Sequence, residues 1–155
     1  MAAAFDARWH ALYTAVRPTL YRTAALIVGE AEAEEVVQDA FERAMRERDF
    51  FGRIQDPTAW LRTVTTRAAL SRLRRRALWD RARSLLGRPE EAPDPRRADL
   101  ASALTRLPPK QRAAVVLRYY HNAPYSEIAS AIGVDAESVG PLLTRARAAL
   151  RDLLK

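Results

Sequence analysis

Apolar residues recur every three to four positions along most of the chain, and no stretch of any length alternates with the two-residue period of a strand. From Phe5 to Val28 this spacing predicts helix. Pro18, which lacks an N–H, marks a break or restart between two helices there. Over residues 30–47, Ala33, Val36, Val37, Ala40, Phe41, Ala44 and Met45 form a continuous apolar stripe. After a loop containing Gly52 and Pro57, a third long helix is expected from Thr58 to Arg83, its core face including Trp60, Leu61, Val64 and Ala68. The period breaks over 84–98, where three prolines and mixed charge indicate a linker. Extended, it could reach about 50 Å. A second helical unit follows. Leu107-Pro108-Pro109 starts a helix with Ala113, Val116, Leu117 and Tyr120 on one face, and Pro124 suits the first turn of the next. The pattern predicts an all-α chain of two small helical domains, 1–83 and 99–155, joined by the proline-rich linker 84–98.

Residues 125–150 read as a helix-turn-helix. Ile128, Ile132, Val134, Val139 and Leu142 fall where two short crossing helices need apolar contacts, and Ala129 is small where they approach. Gly133 sits at the turn, where a positive φ is usually required. Asp135 or Ser138 can cap the second helix, the element that such modules place in the major groove. Arg145, Arg147 and Arg151 follow on it, positioned to meet phosphates. An ordinary helical hairpin with a glycine turn is the plainer alternative.

Charge supports a polyanionic partner. The net charge is +7, nearly all of the cations are arginine, and guanidinium suits phosphate and base contacts. There is no cysteine, which excludes disulfides, thiolate chemistry and Cys-based zinc sites. His10 and His121 lie far apart, without a metal-ligand partner at recognisable spacing. No apolar run approaches the length of a membrane span, and the N-terminus lacks the features of a signal peptide. An intracellular, cytoplasmic protein is expected, with no cofactor and no metal.

Two helix faces need explaining. Glu35, Gln38, Asp39 and Glu42 form an acidic ridge opposite the apolar stripe of their helix. It is either solvated or docked on a basic protein surface. The next helix reverses the sign: between Pro57 and Trp79 there is no acidic residue, while Arg62, Arg67, Arg72, Arg74, Arg75 and Arg76 occur. Cations in such a run repel one another and call for a polyanion. Trp60, Phe50 and Phe51 adjoin this run and could stack on unpaired bases or pack into the core.

In this order, an acidic helix, an arginine-rich helix with a tryptophan near its start, a proline-rich tether and a terminal helix-turn-helix resemble the extracytoplasmic-function (ECF) group of sigma-70-type RNA polymerase sigma factors. Glu32-Ala33-Glu34-Glu35-Val36-Val37-Gln38-Asp39-Ala40-Phe41 is similar to that family's polymerase-binding helix. Asp56-Pro57-Thr58-Ala59-Trp60-Leu61 with Leu73-Arg74-Arg75-Arg76 is similar to its helix for the minus-ten promoter element. Leu107-Pro108-Pro109-Lys110-Gln111-Arg112, Glu127-Ile128-Ala129 and Arg145-Ala146-Arg147 are similar to its minus-thirty-five module.

The resemblance implies a sigma factor, not an enzyme, that binds core RNA polymerase through Glu35, Gln38, Asp39 and Glu42. It implies minus-ten contacts from Phe51, Arg53, Trp60, Arg62, Arg67, Arg72, Arg74 and Arg75, and minus-thirty-five contacts from Ser138, Thr144, Arg145 and Arg147. Core polymerase and promoter DNA are the implied partners, an anti-sigma protein is a candidate partner, and no membrane insertion is expected.

Departures from the family pattern matter. Arg67 and Ser71 stand where members commonly have Asn and Asp. Ser138-Val139-Gly140-Pro141-Leu142 stands where a Thr-Val-Lys-Ser-Arg run is common. Pro141 would cost roughly 3 kcal/mol well inside a helix, so a late start or a distorted first turn is expected, with weak discrimination at the minus-thirty-five element. With Lys155 as the last residue, no large regulatory extension is expected. The rival reading is a one-component DNA-binding regulator using only the terminal module, which leaves the acidic ridge and basic helix unexplained. A nuclease is a third reading, but the acidic residues form no metal-ligand cluster at recognisable spacing.

Overall fold

The computed structural model describes the backbone of residues 2–87 and 99–155, with side chains from Ala7 onward. Most of the expected linker, 88–98, lies outside the described residues. What is described is helical, with no strand. α1 spans Ala2–Val28, α2 Glu30–Arg46, α3 Phe50–Arg53 and α4 Pro57–Leu85. The second unit holds α5 Leu100–Thr105, α6 Pro109–Val115, a π-helical turn Val116–Tyr120, α7 Tyr125–Ile132 and α8 Ala136–Leu153.

α1 runs unbroken through Pro18, correcting the expected break. A proline inside a helix forfeits one hydrogen bond and crowds the preceding turn, at about 3 kcal/mol. Val16, Leu20, Ala24, Ile27 and Val28 are buried on either side of it, as α1 packs against α2 and α4. At roughly 1.5–3 kcal/mol per buried large aliphatic side chain, these contacts outweigh the lost bond. Gly29 then turns the chain at φ +96°, a conformation L side chains rarely adopt.

The stripe of α2 is buried from Ala33 to Ala44, but Met45 is 52% exposed and leaves the core. At about 100° per residue, Met45 falls beyond Phe41 on the edge of the buried face. α4 starts one residue before the expected Thr58, taking in Pro57, which the pattern had left in the loop. Asp56 accepts a hydrogen bond from the Ala59 N–H at 3.0 Å and Pro57 occupies the first turn. Only its first half packs. Leu61, Val64, Thr65, Thr66, Ala69 and Leu70 are buried and Trp60 and Ala68 partly so, whereas Leu78, Trp79 and Leu85 are exposed. Two residues assigned to the linker, Ser84 and Leu85, extend this helix.

In the second unit, α5 is an element the periodicity did not reveal. Asp99 caps it, accepting from the Ser102 N–H at 2.8 Å, and Ala103 and Leu104 are buried. The helix after Pro109 widens into the π turn at Val116, rotating Tyr120 off the shared face to 39% exposure. The helix-turn-helix forms with Gly133 at φ +74° and Ile128, Ile132, Val139 and Leu143 in its core. α8 begins at Ala136 with Asp135 as N-cap, so Pro141 lies inside it, correcting the expected late start. The first turn is tightened, the Ser138 N–H donating to the Asp135 carbonyl three residues back. Burial of Val139, Leu142 and Leu143 around the proline holds the longer helix.

The two units lie against each other, α4 on α6 and α7, and α1 on α5, α6 and the π turn.

Candidate partner and nucleic-acid interfaces

The acidic ridge of α2 faces away from the core. Gln38 and Glu42 are exposed. Glu35 and Asp39 are tied by Arg72 of α4, whose guanidinium donates to Glu35 Oε2 at 2.9 Å and Asp39 Oδ2 at 3.0 Å. Partial burial of Arg72 disfavours its charge, but hydrogen bonds to Asp39 and Glu35 outweigh this and raise its pKa. One turn on, Arg76 donates to the Val28 carbonyl at the end of α1, at 2.7 Å, and pairs with Glu32. Arg72 and Arg76 therefore bolt α4 to α1 and α2. Beside the ridge a shallow groove of about 320 Å³ is lined by Trp9, Tyr13, Phe41 and Met45, with Gln38 and Glu42 at its edge.

The arginines of α4 are not the free run that composition suggested. Arg62 donates to both oxygens of Glu127 on α7, at 2.9 and 2.6 Å, in a half-buried bidentate pair. Arg67 reaches the last turn of α7, donating to the Ser130 carbonyl at 2.8 Å and its hydroxyl at 3.0 Å. Arg72 and Arg76 are bonded as above. Arg74 and Arg75 point to solvent. Sequence alone could not pair these groups, because their acidic partners lie up to 65 residues away.

The aromatic residues near the start of α4 pack on one another. Trp9 stacks on Phe50 at 5.0 Å and meets Phe51 edge-on at 4.8 Å, and Phe50 meets Trp60 edge-on at 5.2 Å. Phe50 is buried, while Phe51 and Trp60 are each half-buried, with Arg8 over the Phe51 ring at 4.7 Å. Arg53, at the end of α3, pairs with Glu47 at 2.8 Å.

On α8, Ser138, Pro141, Thr144, Arg145 and Arg147 are exposed, while Leu142, Leu143 and Ala146 face inward. Thr144 donates back to the Gly140 carbonyl at 3.0 Å. Arg147 is held by the Tyr119 hydroxyl at 2.9 Å, a partner on the π turn that periodicity did not indicate. A Cβ at Gly140 would meet the Tyr125 ring at 3.7 Å, ordinary contact, so nothing in the packing demands glycine there.

Two polar groups in the seam between the units escaped the sequence reading. Arg112, 6% exposed, donates to the Leu26 carbonyl of α1 at 2.9 Å. Burial, then the charge of Arg76, lowers its pKa to about 10, still charged at neutral pH. His121 Nε2 lies 2.5 Å from the Thr23 hydroxyl. Thr23 uses its one proton on the Thr19 carbonyl at 2.7 Å, so its oxygen accepts from an Nε2–H imidazole. Among the described residues no group of three or more His, Asp or Glu side chains could hold a metal ion, and no helix is long and apolar enough to cross a membrane.

Comparison with known proteins fits this arrangement. Sigma-70 region 2 matches residues 12–79 and Sigma-70 region 4 matches residues 97–150. The RNA polymerase sigma-E factor of Streptomyces antibioticus is 34% identical over 146 residues, covering 84% of this chain and 74% of that protein. The ECF RNA polymerase sigma factor SigE of Mycolicibacterium smegmatis is 32% identical across 94% of this chain, which spans only 61% of that relative's length. Among solved structures, the sigma factor RpoE of Bartonella quintana, crystallised with the anti-sigma factor NepR, aligns with a TM-score of 0.73. The identity there is 25%, over 95% of this chain and 96% of that one. The chain belongs to the extracytoplasmic-function group of the sigma-70 family of RNA polymerase sigma factors.

Proposed function

We propose that this protein binds core RNA polymerase in the cytoplasm and directs it to promoters, acting without catalytic chemistry of its own. The observation that carries this reading is the acidic ridge of α2, presented opposite a buried stripe in a chain of net charge +7. A DNA-binding face would not be acidic, so the ridge is assigned to a basic protein surface on the polymerase. The α4 surface with Arg74 and Arg75, extended by Arg62 and Arg67, meets the minus-ten region, with Phe51, Arg53 and Trp60 at its loop end. Ser138, Thr144, Arg145 and Arg147 on α8 meet the minus-thirty-five region. Arg72 is assigned to holding the ridge rather than to DNA, since its donors are already committed to carboxylates. The anti-sigma protein bound to a structural relative makes such a regulator a candidate partner here.

The test is capture of purified core polymerase without DNA. Substituting Asp39 would break the Arg72 bridge and confuse folding with binding, so the informative variant is Gln38→Arg with Glu42→Arg. Loss of capture with unchanged thermal unfolding is expected. Undiminished capture would overturn the assignment.

A further inference from the structure

We propose that the outer half of α4 is a docking seam for an amphipathic helix of a second protein, one whose apolar stripe is flanked by glutamates or aspartates. The seam goes beyond the functional reading above and needs neither the polymerase nor the promoter assignment.

The helix does not stop where its packing does. Leu70 is its last buried residue, yet α4 runs on to Leu85. Every residue from Arg81 to Gly87 is exposed, as are Arg74, Arg75, Leu78 and Trp79. Arg75, Leu78, Ala82 and Leu85 follow one another by three, four and three, the spacing of a seam between two helices. Trp79 and Leu86 flank it on one side, Arg74 and Arg81 on the other. Leu78 and Trp79 are each 66% exposed, Leu85 89% and Leu86 81%. Single exposed apolar residues are ordinary, but four large ones on one face form a patch that marks an interaction site. Arg74 and Arg75 form its inner end and belong also to the minus-ten surface. The stretch from Leu78 to Leu86 lies beyond every surface assigned above.

The charges choose the occupant. A second copy of this chain would set Arg74 against Arg81 in an antiparallel pair, or Arg75 against Arg75 in a parallel one, so self-pairing is repelled. A lipid surface would take the leucines and Trp79, but it would carry Arg75, which lies within the stripe, toward the acyl chains. A duplex would suit the arginines and leave the apolar side chains against phosphates. A helix with acidic flanks answers both features. Its carboxylates meet Arg74, Arg75 and Arg81 while its stripe covers Leu78, Ala82 and Leu85. Asp80, the one acidic residue between Ser71 and Gly87, lies on the opposite side, 3.9 Å from Arg83. Nothing on the seam therefore competes with the partner's carboxylates. Because the seam is already helical, docking orders little of this chain.

The test uses the full chain and two labelled three-heptad peptides with leucine at both seam positions of each heptad, one flanked by glutamate and the other by lysine. Fluorescence anisotropy is expected to show binding of the glutamate-flanked peptide alone. Leu78→Gln with Leu85→Gln changes no charge and should weaken that binding at least about tenfold. Both positions are exposed, and unchanged thermal unfolding checks the fold. Arg74→Glu with Arg81→Glu should reverse the preference to the lysine-flanked peptide. Absence of binding overturns the seam. So does binding that the leucine variant leaves intact, which reduces to attraction by a net charge of +7. Sedimentation of the chain alone should show a monomer; a dimer dispersed by the leucine variant assigns the seam to a second copy. Binding to vesicles of phosphatidylcholine with one-third phosphatidylglycerol, lost in the leucine variant, assigns it to lipid. Either result overturns the proposal. Capture of core polymerase should be the same for the leucine variant as for wild type. Its loss would place the seam in the polymerase interface and overturn a separate partner, while the ridge assignment still stands or falls on its own variants.

Discussion

The bonded and unbonded arginines of α4 share one helix and one side-chain chemistry, yet they differ in the partners the fold gives them. Arg62, Arg67, Arg72 and Arg76 are each bonded to a carboxylate or a helix-end carbonyl on another element. Arg74 and Arg75 make no such bond and are left to solvent, although Arg74 shares the face of Arg67 and Arg75 adjoins Arg72 and Arg76. A cation-rich helix is thus two devices. One set of arginines fastens α4 to α1, α2 and α7, and the other is free for a polyanion. Charge counting cannot separate them, because every arginine carries the same charge. Whether a carboxylate or a helix-end carbonyl lies within reach separates them at once.

The comparison is tested most visibly beyond α4, at Arg112 of α6, a buried arginine bonded in the same way. Its replacement by alanine removes a buried donor, leaves the Leu26 carbonyl unsatisfied and opens a void. A loss of about 3 kcal/mol is expected, seen as a fall in Tm of roughly 10 °C. A Tm within two degrees of wild type would show that the bonded arginines are not structural.

Arg72→Ala should follow at about 1.5 kcal/mol, since charged hydrogen bonds are lost but Glu35 and Asp39 remain partly solvated. The same change leaves Glu32, Glu35 and Asp39 clustered without their cation, so its cost should shrink in high salt. Urea unfolding at two ionic strengths checks both statements.

A separate effect is expected from pH. His121 faces Thr23 on α1, Arg62 on α4, Glu127 on α7 and the ring of Tyr120. Burial, then Arg62, pushes its pKa from 6.5 down to about 4, while Glu127 pulls the other way. The unfolded chain therefore takes up the proton first as pH falls. This contribution to stability is complete above pH 6.5 and is lost progressively toward pH 4. The urea midpoint should drop between pH 7 and pH 5, and His121→Asn should flatten that decline relative to wild type.

The unbonded arginines give the smallest change in stability. Arg75→Ala should stay within about 0.5 kcal/mol of wild type while flattening the salt dependence of duplex binding by about one unit. A stability loss equal to that of Arg72→Ala would erase the distinction between the two sets.

Much of this molecule was legible as sequence because helices advertise themselves locally. The period of three to four residues marks α2 through Ala33 to Ala44 and the core face of α4 through Leu61 and Val64, and Gly133 supplies the positive φ that a helix-turn-helix needs. The ridge of Glu35, Gln38, Asp39 and Glu42 follows from the same arithmetic, since residues three and four apart share a face. These features depend on neighbours within two turns, so a one-dimensional pattern contains them.

What only the tertiary structure decided involves balances between distant groups. Pro18 and Pro141 each weaken a helix locally, and burial of the residues around them restores it. Tyr120 left its expected face because the chain widens at Val116, and Met45 left its own because the buried stripe ends at Ala44. The fate of each arginine was the least legible of all. A guanidinium is attracted alike by a carboxylate, a helix-end carbonyl or a phosphate, so its role is chosen by whichever acceptor the fold places within about 3 Å.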